Sequence, residues 1–558
     1  LGVKYISISG YTVYAGGYFT KMSNVPRPHF AVFLGIYTVN ASVTSGQGSV
    51  SPASQQVNHG GSCSVTITPS SGWKISSITD NGSSKTVTNP AGMTYSLSNV
   101  TADHDIRVAF SQALASRKTY YFAEGCTRPG FQTWLTLLNP NPYEVEATVT
   151  YMFSGEGSTD RNIILPPSSR CTVDVNGTAG GGKDVSIKVS PKSDDFIVAE
   201  RPMYFMYFSY NGVWRDGHCV VGATLPSKEF YFAEGCTRPD FHTWLCIQNP
   251  NSSPANVSLY YYCGDGRTEV RQGVQIAGRS RFTVAVHEPG LGIGSHNDQH
   301  GDVSIRVVSD QPVVAERPMY FSYGPGWEGG HCVVGATLPS KEFYFAEGCT
   351  RPDFHTWLCI QNPNSSPANV SLYYYCGDGR TEVRQGVQIA GRSRFTVAVH
   401  EPGLGIGSHN DQHGDVSIRV VSDQPVVAER PMYFSYKEFK RGGSVVIGAT
   451  STSKEFYFAE GCTFNTFDGY LTVQNPNDST AYLEISFYLE GEEEAVTKEY
   501  YVRPNSRDTI YIPDYIGRPW SHSTSVKSDK EVIVERPMYF YKADLDCEGG
   551  FCVMGMTK

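Results

Sequence analysis

The stretch Lys228–Cys236, KEFYFAEGC, recurs unchanged at Lys341–Cys349 and Lys454–Cys462, with a close variant, KTYYFAEGC, at Lys118–Cys126. The spacings are 110, 113 and 113 residues, so the chain contains four tandem units of domain size. Two are nearly one sequence: Gly217–Tyr323 is identical to Gly330–Tyr436. The recurrence divides the 558 residues into an N-terminal strand-rich stub (1–36), a small module (37–113) and four repeats at 114–226, 227–339, 340–452 and 453–558.

Within one repeat the apolar pattern has period two. NVSLYYYC puts Leu259, Tyr261 and Cys263 on one face, RFTVAV does so with Phe282, Val284 and Val286, and DVSIRVV with Val303, Ile305 and Val307. NPN turns and Gly-rich punctuation separate the runs, and no segment shows a helical period. Seven or eight strands in about 110 residues predict an all-β chain of tandem immunoglobulin-like antiparallel β-sandwiches. The segment 37–113 reads as one further small β-rich module.

The succession of an NPN turn, a VVAERPMYF box and a YFAEGCT strand is similar to uncharacterised immunoglobulin-like repeats of bacterial and archaeal surface proteins. Tyr37–Phe110 resembles a divergent internalin-type B-repeat, and YTVYAGGYFTKMSNVPRPHFAVF resembles one incomplete blade of a bacterial β-propeller repeat. These resemblances imply a cell-surface setting and carry no known activity.

Charged residues are 18% of the chain and the net charge is −9, without a long basic run, which argues against nucleic acid as a partner. No apolar run is long enough for a membrane-spanning helix. The chain starts at Leu1 with neither an initiator Met nor a signal peptide, and is read as a mature or truncated product whose export signal lies upstream. Fourteen cysteines and sequons at Asn40, Asn81, Asn99, Asn176, Asn251, Asn256, Asn364, Asn369 and Asn477 point to an extracellular, glycosylated protein.

Cys246 and Cys263 lie on consecutive strands, as do Cys359 and Cys376, and both members are absent from the first and fourth repeats; this predicts disulfides Cys246–Cys263 and Cys359–Cys376. The FAEGC cysteine faces two schemes. Pairing within a repeat gives Cys126–Cys219, Cys236–Cys332 and Cys462–Cys552, with Cys63, Cys171, Cys349 and Cys547 left over. Pairing between neighbours gives Cys219–Cys236 and Cys332–Cys349. Ser444 is read as the residue that replaces the last cysteine in repeat 3.

Each repeat also carries a Glu in FAEGC and a Glu-Arg pair in ERP. Two glutamates suit acid–base work, but Glu234, Glu316 and Arg317 are read as a structural ion-pair set, because no His or Asp recurs beside them. In HNDQHGD, His296, Asp298, His300 and Asp302 alternate, so an extended chain would present them together to a metal ion. A solvated loop is the simpler reading, and no cofactor is expected. Tyr260 and Tyr262 are weighed as sugar-stacking residues and assigned to a sheet or to an interface between modules.

The expectation is a non-enzymatic structural subunit of an extracellular filament or surface layer. It would assemble with copies of itself, with the stub donating a strand and linkers such as GATLPSKEF setting the angle between modules. The alternative is an adhesin or glycan-binding stalk.

Overall fold

The Ala255–Cys263 strand shows how the pattern is used. Val257, Leu259 and Tyr261 are fully buried, whereas Asn256 faces solvent and Ser258 and Tyr260 lie between. A computed structural model describes residues 3–9, 12–17, 21–22, 25–26, 30–33, 35–46, 48–69, 73–87, 92–112, 119–155, 157–192, 195–210, 212–324, 326–437 and 439–557. The chain forms two units, Leu1–Ser116 and Arg117–Lys558.

In the second unit every repeat is a pair of packed antiparallel sheets. In repeat 1, Tyr120–Phe122, Val185–Pro191, Val145–Phe153 and Ser158–Leu165 form one sheet. Ser169–Asp174, Phe131–Asn139, Val198–Ser209 and Gly212–Val221 form the other. In repeats 2 to 4 one long strand, Val303–Tyr323, Val416–Tyr436 or His522–Lys542, serves both sheets. The core of repeat 2 contains Phe230, Phe232, Leu245, Ile247, Leu259, Tyr261, Ile305 and Val307, each worth about 1.5–3 kcal/mol of burial. The GAT segments close the repeat that they end: Ala223 bridges to Tyr121, Ala336 to Tyr231 and Ala449 to Tyr344.

The repeats do not run end to end. Their last strands, Gly212–Val221, Trp327–Val334, Lys440–Ile447 and Cys547–Met554, pack side by side, each against the next and the fourth against the first. The result is a closed ring with a pseudo-fourfold axis. Near the axis, Cys219, Cys332, Val445 and Cys552 line a cavity of about 130 Å³.

Register corrects one sequence alignment. Pro202, Pro318, Pro431 and Pro537 pair with Cys219, Cys332, Val445 and Cys552, so Val445 takes the cysteine position. Ser444 stands where His218 and His331 stand, each opposite a Met.

In the first unit, Val3–Ser9, Thr12–Gly17 and Phe30–Phe33 make a three-stranded sheet with Val3–Ser9 at an edge. Residues 35–112 form a five-stranded and a three-stranded sheet around Val39, Val65, Ile67, Ile78, Ile106 and Val108. His104–Gln112 runs parallel to Ile36–Ser45, whereas the neighbouring pairs are antiparallel.

Candidate functional site

Ring closure brings the recurrent residues of one repeat against those of the next. The carboxylate of Glu316 accepts the backbone N–H groups of Ala123 (2.9 Å) and Glu124 (3.2 Å) and lies 2.9 Å from Arg201 of the preceding repeat. Glu429 does the same for Ala233 and Arg317, Glu535 for Ala346 and Arg430, and Glu200 for Ala459 and Arg536. All eight side chains are fully buried. Burial pushes Glu200, Glu316 and Glu535 above the usual carboxylate range against the pull of the facing guanidinium, and takes Glu429 to about 7. ERP is therefore a hinge pin between repeats: its Glu reaches backward and its Arg forward.

Of the anticipated set Glu234, Glu316 and Arg317, the structure joins Glu234 to Arg317 (2.9 Å) but gives Glu316 to Arg201. The missed feature is that the ERP glutamate pairs with the ERP arginine of the neighbouring repeat.

An aromatic ladder lies over these pairs. Tyr207 stacks on Tyr320 with centroids 4.0 Å apart, Tyr323 on Tyr433 at 4.1 Å and Tyr436 on Tyr539 at 4.1 Å. At the junction of repeats 4 and 1, Lys542 takes the outer place, 5.4 Å over the Tyr204 ring.

Beside the ladder, clefts open at the junctions. The largest, about 570 Å³ between repeats 1 and 2, is lined by Glu124, Cys126, Arg128, Asp184, Tyr207, Trp244, Arg281 and Tyr320. Equivalent residues line clefts of about 210 Å³ between repeats 3 and 4 and between repeats 4 and 1. In the first cleft Arg281 holds Glu124 at 3.3 Å, and Arg128 pairs with Asp184 at 2.5 Å. Arg281 is buried, whereas Arg128 is mostly exposed.

Three of the FAEGC cysteines, Cys126, Cys349 and Cys462, line these clefts. Burial pushes Cys126, Cys236, Cys349 and Cys462 up to about 12, the reverse of what a nucleophile needs.

None of the anticipated disulfides forms; all fourteen cysteines are free. Cys246 and Cys263 belong to opposite sheets: the Cys246 thiol donates to Glu124 of repeat 1 at 2.6 Å, whereas Cys263 lies 3.8 Å from His300. Cys359 and Cys376 divide the same way, with Cys359 3.3 Å from Arg394 and Cys376 3.9 Å from His413. Where repeat 4 has Thr472, its hydroxyl donates to Glu347, so in repeats 2 and 4 this position is a small donor to a junction carboxylate, whereas Thr136 of repeat 1 donates to the Glu200 carbonyl. Nor do the within-repeat pairs Cys126–Cys219, Cys236–Cys332 and Cys462–Cys552 form. Their second members face the buried ERP glutamates, with Cys219 3.3 Å from Glu200, Cys332 3.5 Å from Glu316 and Cys552 3.1 Å from Glu535.

The four metal candidates of the HNDQHGD loop diverge. A short 3-10 turn at Gln299–Gly301 breaks the extended chain on which they would align. His296 meets the carbonyl of Ile293, Asp298 caps the turn by accepting from the His300 N–H, and Asp302 pairs with Arg238. His300 turns inward and is buried.

The sequons also sort by structure. The side-chain amides of Asn176, Asn251, Asn364 and Asn477 donate to Phe131, Pro312, Pro425 and Glu531 carbonyls, which commits the nitrogen that would carry a glycan. Asn40, Asn81, Asn99, Asn256 and Asn369 are exposed, and of these the amides of Asn81, Asn256 and Asn369 likewise donate, to the Asp103 carbonyl and the Asp310 and Asp423 carboxylates. Tyr262 is buried, and Arg306 lies 5.6 Å over the Tyr260 ring, so both belong to the sheet.

No family model and no curated protein matches the chain. Among solved structures it is similar to Thermotoga maritima 1070, at 19% identity over 20% of this chain and 94% of that one, with a TM-score of 0.18. It is also similar to the Anabaena sensory rhodopsin transducer, at 21% identity over 16% of this chain and 95% of that one, with a TM-score of 0.14. A DUF4785 family protein of Legionella pneumophila aligns at 8% identity over 56% of this chain and 84% of that one, with a TM-score of 0.09.

Proposed function

We propose that this chain is a non-enzymatic binding protein of the cell exterior, whose four-repeat ring presents junction clefts to glycans. The supporting observation is the cleft between repeats 1 and 2. Trp244 and Tyr207 offer aromatic surface to the apolar C–H faces of a sugar, beside the guanidinium of Arg128 and the carboxylate of Asp184 for its hydroxyls. The protonated thiols and Arg-tied glutamates favour binding over chemistry. The exposed sequons support an exterior location, whereas the free thiols withdraw the cysteine argument for it.

The full chain is to be screened on immobilised glycans, and the best binder measured by calorimetry. Trp244→Ala and Arg128→Ala are expected to weaken binding by about tenfold or more, with thermal melting little changed. Failure of every glycan to bind, or full affinity in both variants, would sink the reading.

Self-assembly into a filament is the second reading, and one observation favours it. Val3–Ser9 is an edge strand with Tyr5, Ile6 and Ile8 exposed, the kind of edge that pairs with another chain. Fibres in electron micrographs that disappear when residues 1–33 are removed would favour it over the binding role.

A further inference from the structure

His300 is 1% exposed, yet each of its ring nitrogens meets a carboxylate: Nδ1 is 3.1 Å from Asp265 and Nε2 is 3.0 Å from Glu269. The thiol of Cys263, also buried, completes the group. One ligand atom each from Cys263, Asp265 and His300 lies within 4.8 Å of the others, and Cys376, Asp378 and His413 repeat the arrangement. We propose that these two triads are divalent transition-metal sites, zinc being the best match, with Glu269 and Glu382 as the carboxylates that orient the ligating histidines.

The donor set argues for it. A thiolate, an imidazole and a carboxylate suit zinc in a tetrahedral site, and three protein ligands leave a fourth position for water or a small ligand. Asp265, whose side chain is 24% exposed, places that position toward solvent. Metal-bound histidines characteristically donate their other ring N–H to a carboxylate; with Nδ1 as the ligand beside Asp265, Nε2, which lies 3.8 Å from the Cys263 sulfur, keeps its bond to Glu269, itself held by Arg271 at 2.6 Å. Arg267 also touches Asp265, but its side chain is 64% exposed and gives way to an ion at little cost. Coordination converts the Cys263 thiol to thiolate, with the proton passing to solvent.

The residues also disappear together. Register places Phe153, Gly155, Thr159 and Gly182 of repeat 1 at the positions of Cys263, Asp265, Glu269 and His300. In repeat 4, Leu489, Val496 and Pro519 replace the Cys, Glu and His.

The test uses the full chain, reduced and stripped with chelator, titrated anaerobically with Co²⁺ and then with Zn²⁺. Two equivalents per chain are expected, with a thiolate-to-cobalt charge-transfer band that Zn²⁺ abolishes. Cys263→Ala should halve the band, and Cys263→Ala with Cys376→Ala should remove it. Both positions accept apolar side chains in the other repeats, so these variants are expected to fold, as circular dichroism would verify. Asp265→Asn with Asp378→Asn should weaken uptake while keeping both thiols. Absence of the band, or its persistence in the double cysteine variant, overturns the proposal.

Discussion

One residue breaks the fourfold pattern. Asp216 sits near the pseudo-fourfold axis, fully buried, and its two oxygens accept four backbone N–H groups: Gly217 (2.7 Å) and Gly550 (3.1 Å) on Oδ1, Gly330 and Gly443 (both 3.2 Å) on Oδ2. Burial pushes its carboxyl well up, and the four N–H groups pull it back. The equivalent residues are Gly329, Gly442 and Gly549, where an added Cβ would lie 2.5, 2.5 and 1.7 Å from the Asp216 carboxylate. There is room for one side chain and not four. A homotetramer of such repeats would need four identical residues here, whereas a single chain can place one Asp among three glycines. Asp216→Gly should leave the four donors without their acceptor and destabilise the ring by on the order of 3 kcal/mol, measured as a shift of the urea midpoint at unchanged slope. An unchanged midpoint would mean that the N–H groups are satisfied without it.

At the scale of elements, the YFAEGC strand is a docking strip for the next repeat. In repeat 1 its Ala123 and Glu124 N–H groups donate to Glu316 of the next ERP box. Glu316→Ala therefore strands Arg201 and two N–H groups in a dry interface, at a cost of about 3–5 kcal/mol. Glu146→Ala, which removes the exposed partner of Lys192, should change stability by no more than about 1 kcal/mol. Comparable losses in the two variants would remove ERP from its role as the inter-repeat pin.

The strands and their inward faces were legible in the sequence because period two is a local signal. The destination of Cys246, Glu316 and Asp216 was not, because each acts on a different repeat. The paired loss of Cys246 and Cys263 misled for a related reason. Two identical copies are one observation, and each cysteine answers to its own neighbour, Glu124 or His300. His300 was legible as a metal candidate, but its partners Cys263, Asp265 and Glu269 come from a strand end and the hairpin beyond it.

For the whole molecule, closure converts four modules that could have been a stalk into a ring with no spare module end. The residues Arg215, Glu328, Arg441 and Glu548, one per repeat in ring order, line a common cavity of about 260 Å³ with alternating charge. Alternation gives each charge two opposite neighbours, which identical subunits could not do. The contact of repeat 4 with repeat 1 is the claim on which the rest depends. It comprises Arg536 with Glu200, Arg170 with Glu460 and Tyr204 with Phe540.

Small-angle X-ray scattering of the Arg117–Lys558 fragment tests it most directly. A closed ring predicts a radius of gyration close to the compact expectation of about 22 Å. Four modules strung end to end would give about 40 Å with a rod-like profile, and that result would contradict the account.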